Sequence, residues 1–485
     1  MYFLRQNRDT LIAGVLFILL SGYLIWADNA ALILAPVGLV IMYFAVYYTT
    51  YAYLSLAFLT PFSINIEEYV QGFGLYLPTE PLLFGLMLIM IMIELRRRTI
   101  PLDVWKHPII IVAAFYLFWI LITSITSTSP VVSFKFLLSK LWFIVPLLFF
   151  GVKVYDKIEN IRRCIWLYSI AMCIVICYTL IVHSMYGFGE QEGHWVMFPF
   201  FKDHTIYGCM VAFTVPLVFG LYFSKKHIPL IKFVLAFMTI IILTGLYFSY
   251  TRAAWLSVVS ALIVLILIKL RIKLNTLVFI ASLAGLTLFV SWDNIMMEME
   301  RNKFEHTTEA FSEKLQSATN VTTDASNLER LNRWSCAIEM FKQRPIFGFG
   351  PGTYAFEYAR FQDPENLTII STNFGDMGNA HSEYLGPLSE SGLFGMLSVI
   401  ALVIAIFYTG IKLYNKWPPQ DKEYRVLILT MLLALVTYFV HGTLNNYLDT
   451  DKASVPIWTF CAAIVGFEIL YKKRVNELSK EKDLN

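Results

Sequence analysis

Apolar runs, most of them 15 to 20 residues or more and one shorter at 51–60, recur along the chain, separated by charged or polar links of which one, 292–384, is long. They lie at 11–27, 30–48, 51–60, 81–95, 108–125, 137–152, 164–183, 205–223, 230–247, 253–268, 277–292, 385–411, 426–444 and 455–470. A run of this length crosses the hydrocarbon core of a bilayer as a helix. Soluble domains carry about 25% charged residues, whereas this chain carries 15%, with 57% hydrophobic residues and a mean hydropathy of +0.61. The alternation expected of outer-membrane strands is absent. The sequence therefore predicts an all-α polytopic membrane protein with about 14 transmembrane helices. The first run lacks a cleavage-site pattern and reads as a span.

The distribution of charge tests this count. Lys and Arg cluster at 5–8, 96–98, 153–163, 225–226, 269–273, 412–425 and 472–474. With an even number of spans and both termini cytoplasmic, every cluster falls on the cytoplasmic side, as the positive-inside rule requires. The links at 61–80, 183–204, 249–252, 292–384 and 445–453 then face outward. The segment 292–384 holds eight Lys and Arg against fourteen Asp and Glu, a balance of −6 that fits a translocated loop. Three regions follow: a transmembrane bundle over 1–291, a large periplasmic loop over 292–384, and C-terminal helices with a short cytoplasmic tail over 385–485.

Loops of this length without structure are uncommon, and helix signals run through this one. Asn327 is a candidate N-cap. Leu328, Leu331, Trp334, Ile338 and Phe341 recur at three- and four-residue steps, which predicts one apolar stripe ended by Pro345. Arg330, Arg333 and Ala337 fall on an adjoining face. A turn, GFGPG at 348–352, allows close backbone approach. Thr353 to Phe361 reads as a second short helix.

The groups with chemical potential gather at the predicted outer face. Arg252, in SYTRAAW at 249–255, sits at the edge of a span, where arginine is costly and is usually paired or functional. Its guanidinium fork suits phosphate or diphosphate; a snorkelling arginine is the structural alternative. Arg330 and Arg333 are one turn apart, with surface pairing to Glu329 or Glu339 as their alternative. His381 opens a span, and a histidine of near-neutral pKa can take a proton from an attacking hydroxyl. His204, beside Asp203 in KDHTIYG at 202–208, holds a similar place, and His194 and Trp195 are weaker candidates. Lys135 and Lys140 flank the outward end of another span and are candidates for an anionic headgroup. Trp195, Phe198, Tyr354 and Phe361 are candidates for stacking on sugars. Asp449 and Asp451 in YLDTDK read as a solvated loop rather than a metal site, and the six scattered cysteines read as apolar fillers. Neither a Walker loop nor a dinucleotide fingerprint occurs.

These elements together resemble a known family. ERLNRW, PIFGFGPGTY and NAHSEYLGPLSESGLFG look like the signature region of the O-antigen ligase and polymerase superfamily, where R-x-x-W, P-x-x-G-x-G and H-(N/S)-x-(Y/F)-L-x-x-x-x-E-x-G-x-x-G cross the large periplasmic loop. SYTRAAW and KDHTIYG resemble two further elements of that family. The likeness covers residues 200 to 400; the N-terminal third matches only as a series of spans. Ser382 after His381 departs from the Asn found in many members.

The resemblance implies a GT-C-like, metal-independent, inverting glycosyltransferase of the inner membrane, with no cofactor and its active face in the periplasm. Its donor would be a glycan on undecaprenyl diphosphate, and its acceptor a saccharide or lipid A-core. His381, Arg252 and Arg333 would be catalytic. Arg330, His204, Asp203, Lys140, Lys135 and Glu383 would bind diphosphate or sugar. Membrane lipid is an expected partner and nucleic acid is not. A protein O-oligosaccharyltransferase shares the motif. A glycan transporter would instead show repeats and ionisable groups near the midplane.

Overall fold

The computed structural model describes residues 14–15, 18–19, 22–23, 43–68, 74–271, 325–362 and 378–483. The expected spans at 11–27, 30–48 and 277–292, and much of the loop at 292–384, lie wholly or largely outside those residues. The described chain is helical apart from a two-stranded antiparallel ribbon, β1 (Ile64–Asn65) with β2 (Tyr76–Leu77), paired Ile64 to Leu77 and Asn65 to Tyr76. This is a multi-pass membrane protein: among the described residues, nine helices are long and apolar enough to span a bilayer.

Helix α1 (Thr49–Leu59) and helix α2 (Thr79–Arg97) precede them. The nine are α3 (Pro108–Ile125), α4 (Pro130–Val154), α5 (Ile158–Met185), α6 (His204–Ser224), α7 (Pro229–Tyr247), α8 (Arg252–Lys269), α10 (Leu385–Lys416), α11 (Lys422–His441) and α12, apolar over Asp451–Val475. Helix α9 (Ala325–Gln343) lies between α8 and α10 in the sequence. Proline opens α3, α4 and α7 at a position where its missing N–H costs nothing. Helix α4 is longer than the sequence suggests. It continues through a wide turn at Val145–Phe150, where Pro146 interrupts the ladder and the Tyr53 hydroxyl donates to the Leu147 carbonyl at 2.6 Å. Lys135 and Lys140 therefore sit inside α4 and not at its flank.

The bundle packs α6 against α11, α11 against α8, and α10 against α3. Its two ends differ in chemistry. At one end, Arg162 pairs with Glu423 at 2.5 Å and Lys473 with Asp156 at 3.2 Å, joining three of the basic clusters. At the other end, the links expected to face outward converge. Lys452, fully buried, donates to the carbonyls of Thr60, Pro61 and Ser63 at 2.7, 3.1 and 2.7 Å. Three carbonyls satisfy an ammonium that would otherwise be costly to bury. Asp451 beside it is also buried and accepts from the Ser63 hydroxyl, so the solvated-loop reading of Asp451 is corrected.

Helix α10 is broken at Gly392, whose φ is +69°. The Ser391 carbonyl released by the break accepts from the Trp119 indole at 2.8 Å, and the Leu393 amide donates to Pro345 at 2.9 Å. The glycine turn 348–352 seats there: the amides of Phe349 and Gly350 donate to the carbonyls of Ser389 and Glu390 at 3.1 and 2.8 Å. A Cβ at Gly392 would overlap the Ile346 carbonyl. Gly392→Ala is accordingly expected to cost about 1–3 kcal/mol, seen as a lower thermal midpoint in detergent; an unchanged midpoint contradicts this account of the break.

Candidate functional site

Helix α9 presents inward a face that mixes polar and apolar residues. Glu329, Asn332, Arg333, Cys336, Ala337 and Met340 are buried, at steps of three and four. The apolar stripe read from the sequence is rotated outward: Ile338 is 41% exposed, and Leu331, Trp334 and Phe341 are half-buried. A helix at a lipid boundary can turn its apolar side to lipid and its polar side to protein, so burial need not follow hydrophobicity. The helix begins at Ala325, which places Asn327 inside it rather than at its cap.

Arg333 holds this face together. Its Nε donates to Glu329 at 2.7 Å, one of its terminal nitrogens donates to the Asn379 carbonyl at 3.2 Å, and its guanidinium lies over the Tyr358 ring. Tyr354 is buried and donates its hydroxyl to the Arg333 carbonyl at 2.7 Å, so this ring is not available for stacking on a sugar. Phe361 packs edge-on against Phe349. Trp195 and Phe198 remain exposed.

The Arg333–Asn379 contact leads directly to His381. The Asn379 side chain accepts from the His381 amide at 3.0 Å and supports a left-handed φ of +46° there, rare for a residue with a side chain. Burial, reinforced by the charges of Arg333 and Arg330, pushes the His381 imidazole down to about 4. A hydrogen bond with the Asn445 side chain acts in the opposite direction. The amide nitrogen of Asn445 meets His441 Nε2 at 3.1 Å. Asn445 thus joins two histidines. The buried Nδ1 of His441 meets no hydrogen-bond partner among the described residues.

Around this core stand the other candidates. Arg330 is within electrostatic reach of His381, His204, His441 and Tyr447. His204 stacks on His194 with ring centroids 4.1 Å apart. Asp203 is the N-cap of α6, accepting from the amides of Thr205 and Ile206 at 2.8 and 3.1 Å. Tyr447 donates to the Thr205 hydroxyl at 2.5 Å and so closes the far side. Arg252 opens α8 directly after Thr251, whose hydroxyl donates to the His204 carbonyl at 2.8 Å. The Arg252 turn is therefore fixed to the His204 side.

Two further candidates have structural partners, and a third is exposed. Glu383, buried, accepts from the Tyr438 hydroxyl at 2.5 Å and from the amides of Tyr447 and Leu448 at 2.6 and 2.9 Å; burial raises its pKa. Lys140, also buried, donates to the Leu448 carbonyl at 2.8 Å and to Asp449 at 2.7 Å. Lys135 is exposed on α4. Glu383 and Lys140 pin the 445–449 link, which carries Asn445 to His381.

A family model described as O-antigen ligase matches residues 235–400. Over those residues the chain is similar to the O-antigen ligase family. The O-antigen ligase region runs from α7 to beyond the break in α10 and includes Arg252, Arg330, Arg333 and His381. Asp203, His204, His441 and Asn445 lie outside it and are brought to it by the fold. No curated protein matches the chain. His441, Asn445, Tyr447 and Asn379 were not picked out by sequence reasoning. A histidine and an asparagine at the end of an apolar run are the signal they give, and that signal is weak without the contacts.

Proposed function

We propose that this protein, similar over residues 235–400 to the O-antigen ligase family, transfers a glycan from undecaprenyl diphosphate to a saccharide or lipid A-core acceptor, at the periplasmic face of the inner membrane and without a metal ion. The observation that carries the reading is His381 held uncharged beside Arg330 and Arg333 at the end of the bundle away from the basic clusters. Lipid-linked diphosphate is the donor class whose leaving group a set of fixed cations at a membrane edge would stabilise.

In this mechanism a nitrogen of His381 takes the proton of the acceptor hydroxyl. The acceptor oxygen attacks C1 of the donor sugar from the face opposite the diphosphate. The C1–oxygen bond to the diphosphate breaks, its electron pair stays on the leaving oxygen, and the configuration at C1 inverts. Arg330, central among the histidines, and Arg252, arriving from the His204 side, receive the diphosphate. Arg333 anchors the His381 segment through Asn379. A base at about 4 is weak, but the bound diphosphate would offset the arginine charges and raise it.

That shift gives a pH signature. In the free protein His381 stays neutral down to about 4, so kcat/KM is expected to show no titration of this base near the ordinary histidine value of 6.5. With donor bound, kcat is expected to fall at a higher pH than kcat/KM does. Coincident profiles in both parameters contradict the offset by diphosphate. The function itself is tested with purified protein, a lipid-linked glycan and candidate acceptors in chelator. Longer lipid-linked chains identify a polymerase, and modified lipid A-core a ligase. Modified Ser, Thr or Tyr of a protein moves the acceptor to polypeptide, and no transferred glycan with any acceptor rejects the reading.

A further inference from the structure

The end of the bundle opposite His381 carries a groove of its own. The segment 102–108, the C-terminal half of α10 and the last apolar turns of α12 enclose a cavity of about 580 Å3. A smaller one of about 170 Å3 adjoins it and shares Asp103, His107, Glu468 and Lys472. Four lysines line the larger cavity, Lys106, Lys412, Lys416 and Lys472, against the two carboxylates of Asp103 and Glu468.

Glu468 already has partners. His107 Nδ1 accepts from the Ile109 amide at 3.2 Å, capping α3, which puts the ring proton on Nε2, 3.1 Å from Glu468. Lys472 lies 3.6 Å from the other carboxylate oxygen. Lys106, Lys412 and Lys416 make no ion pair with a described residue, and Lys412 lies over the Tyr408 ring. The groove thus keeps an excess of positive charge between three separate elements.

Its surroundings place it at a membrane boundary. Leu102 is 77% exposed and Trp105 is 40% exposed on the short helix Leu102–Trp105, just before Lys106. An exposed leucine and tryptophan followed by lysine form the sequence of an interfacial anchor, apolar side in lipid and ammonium at the headgroups. Tyr408 and Ile404 continue the exposed apolar surface along α10 below the lysines.

We propose that this groove binds the phosphate headgroup of an anionic membrane lipid, with the acyl chains running along the outside of α10. Basic pockets between transmembrane helices attract such headgroups, and each lysine near the surface adds to the affinity. The site is independent of the transfer reaction proposed above, and its test does not use that reaction.

The test is native mass spectrometry of the full chain released from micelles holding equal amounts of phosphatidylglycerol and phosphatidylcholine. Wild type is expected to retain phosphatidylglycerol selectively. The triple variant Lys106→Gln, Lys412→Gln, Lys416→Gln is expected to lose that retention by at least about tenfold. The triple variant Lys225→Gln, Lys226→Gln, Lys232→Gln, outside the groove, is expected to keep it. Equal loss in both variants, or retention in the first, overturns the site. Displacement of the lipid by inorganic phosphate alone overturns the lipid assignment. Should the groove variant fail to fold, photoactivatable phosphatidylglycerol on wild type decides: adducts confined to 102–108, 404–416 and 465–473 support the site, and adducts elsewhere overturn it.

Discussion

His381→Ala is expected to lower glycan transfer by about 100- to 10,000-fold, the range for removing a positioned base, while protein level and lipid-linked donor stay normal. The backbone at His381 is held by the Asn379 side chain rather than by the imidazole, so the segment should survive truncation. Asn445→Ala is expected to have a smaller effect, about tenfold in kcat with KM little changed. It removes the side chain that hydrogen-bonds to His381 and leaves the arginines in place. Transfer by His381→Ala within a few-fold of wild type would remove this histidine from the chemistry.

Arg333→Ala is the second large effect, and it acts on stability and transfer together. The Arg333–Glu329 pair is buried, with side chains 9% and 6% exposed. Removing the arginine strands a carboxylate and is expected to cost about 3–5 kcal/mol. The double variant Glu329→Leu, Arg333→Met replaces both charges with apolar groups of similar volume. Such replacements are often neutral or stabilising, so its thermal midpoint is expected to return toward wild type. Transfer is not expected to return, because the Asn379 carbonyl loses its donor and the His381 segment its anchor. Wild-type stability in Arg333→Ala contradicts the buried pair, and recovered transfer in the double variant contradicts the anchoring role.

The membrane class and the positions of the nine described spans were legible because runs of apolar residues near 20 long have few other uses. The inward face of α9 was not. The pattern Leu331, Trp334, Ile338, Phe341 is a sound amphipathic signal, but it points to the core only when water is the alternative. Here the polar face, Glu329, Asn332 and Arg333, meets the protein. For the same reason Lys140 and Glu383 read as substrate contacts: a charge in an apolar setting signals either function or a buried pair. Contacts to Asp449 and to the amides of Tyr447 and Leu448 give them the second role. The motif residues Glu390 and Gly392 gain a physical account. The Glu390 carboxylate accepts from the Tyr354 amide at 3.0 Å, and Gly392 supplies the break that seats the glycine turn. His441 and Asn445 come from a span distant in sequence, and only the packing of α11 against α6 and α8 carries them to the site.

The measurement that bears most directly on direct displacement by a hydroxyl activated at His381 is the anomeric configuration of the newly formed bond. Purified wild-type protein is given a lipid-linked glycan of known configuration at C1, and the product linkage is assigned by nuclear magnetic resonance. Inversion at C1, with release of undecaprenyl diphosphate in equal amount, is the predicted result. Retention at C1 contradicts it, because two displacements would then be needed and His381 could not be the single base.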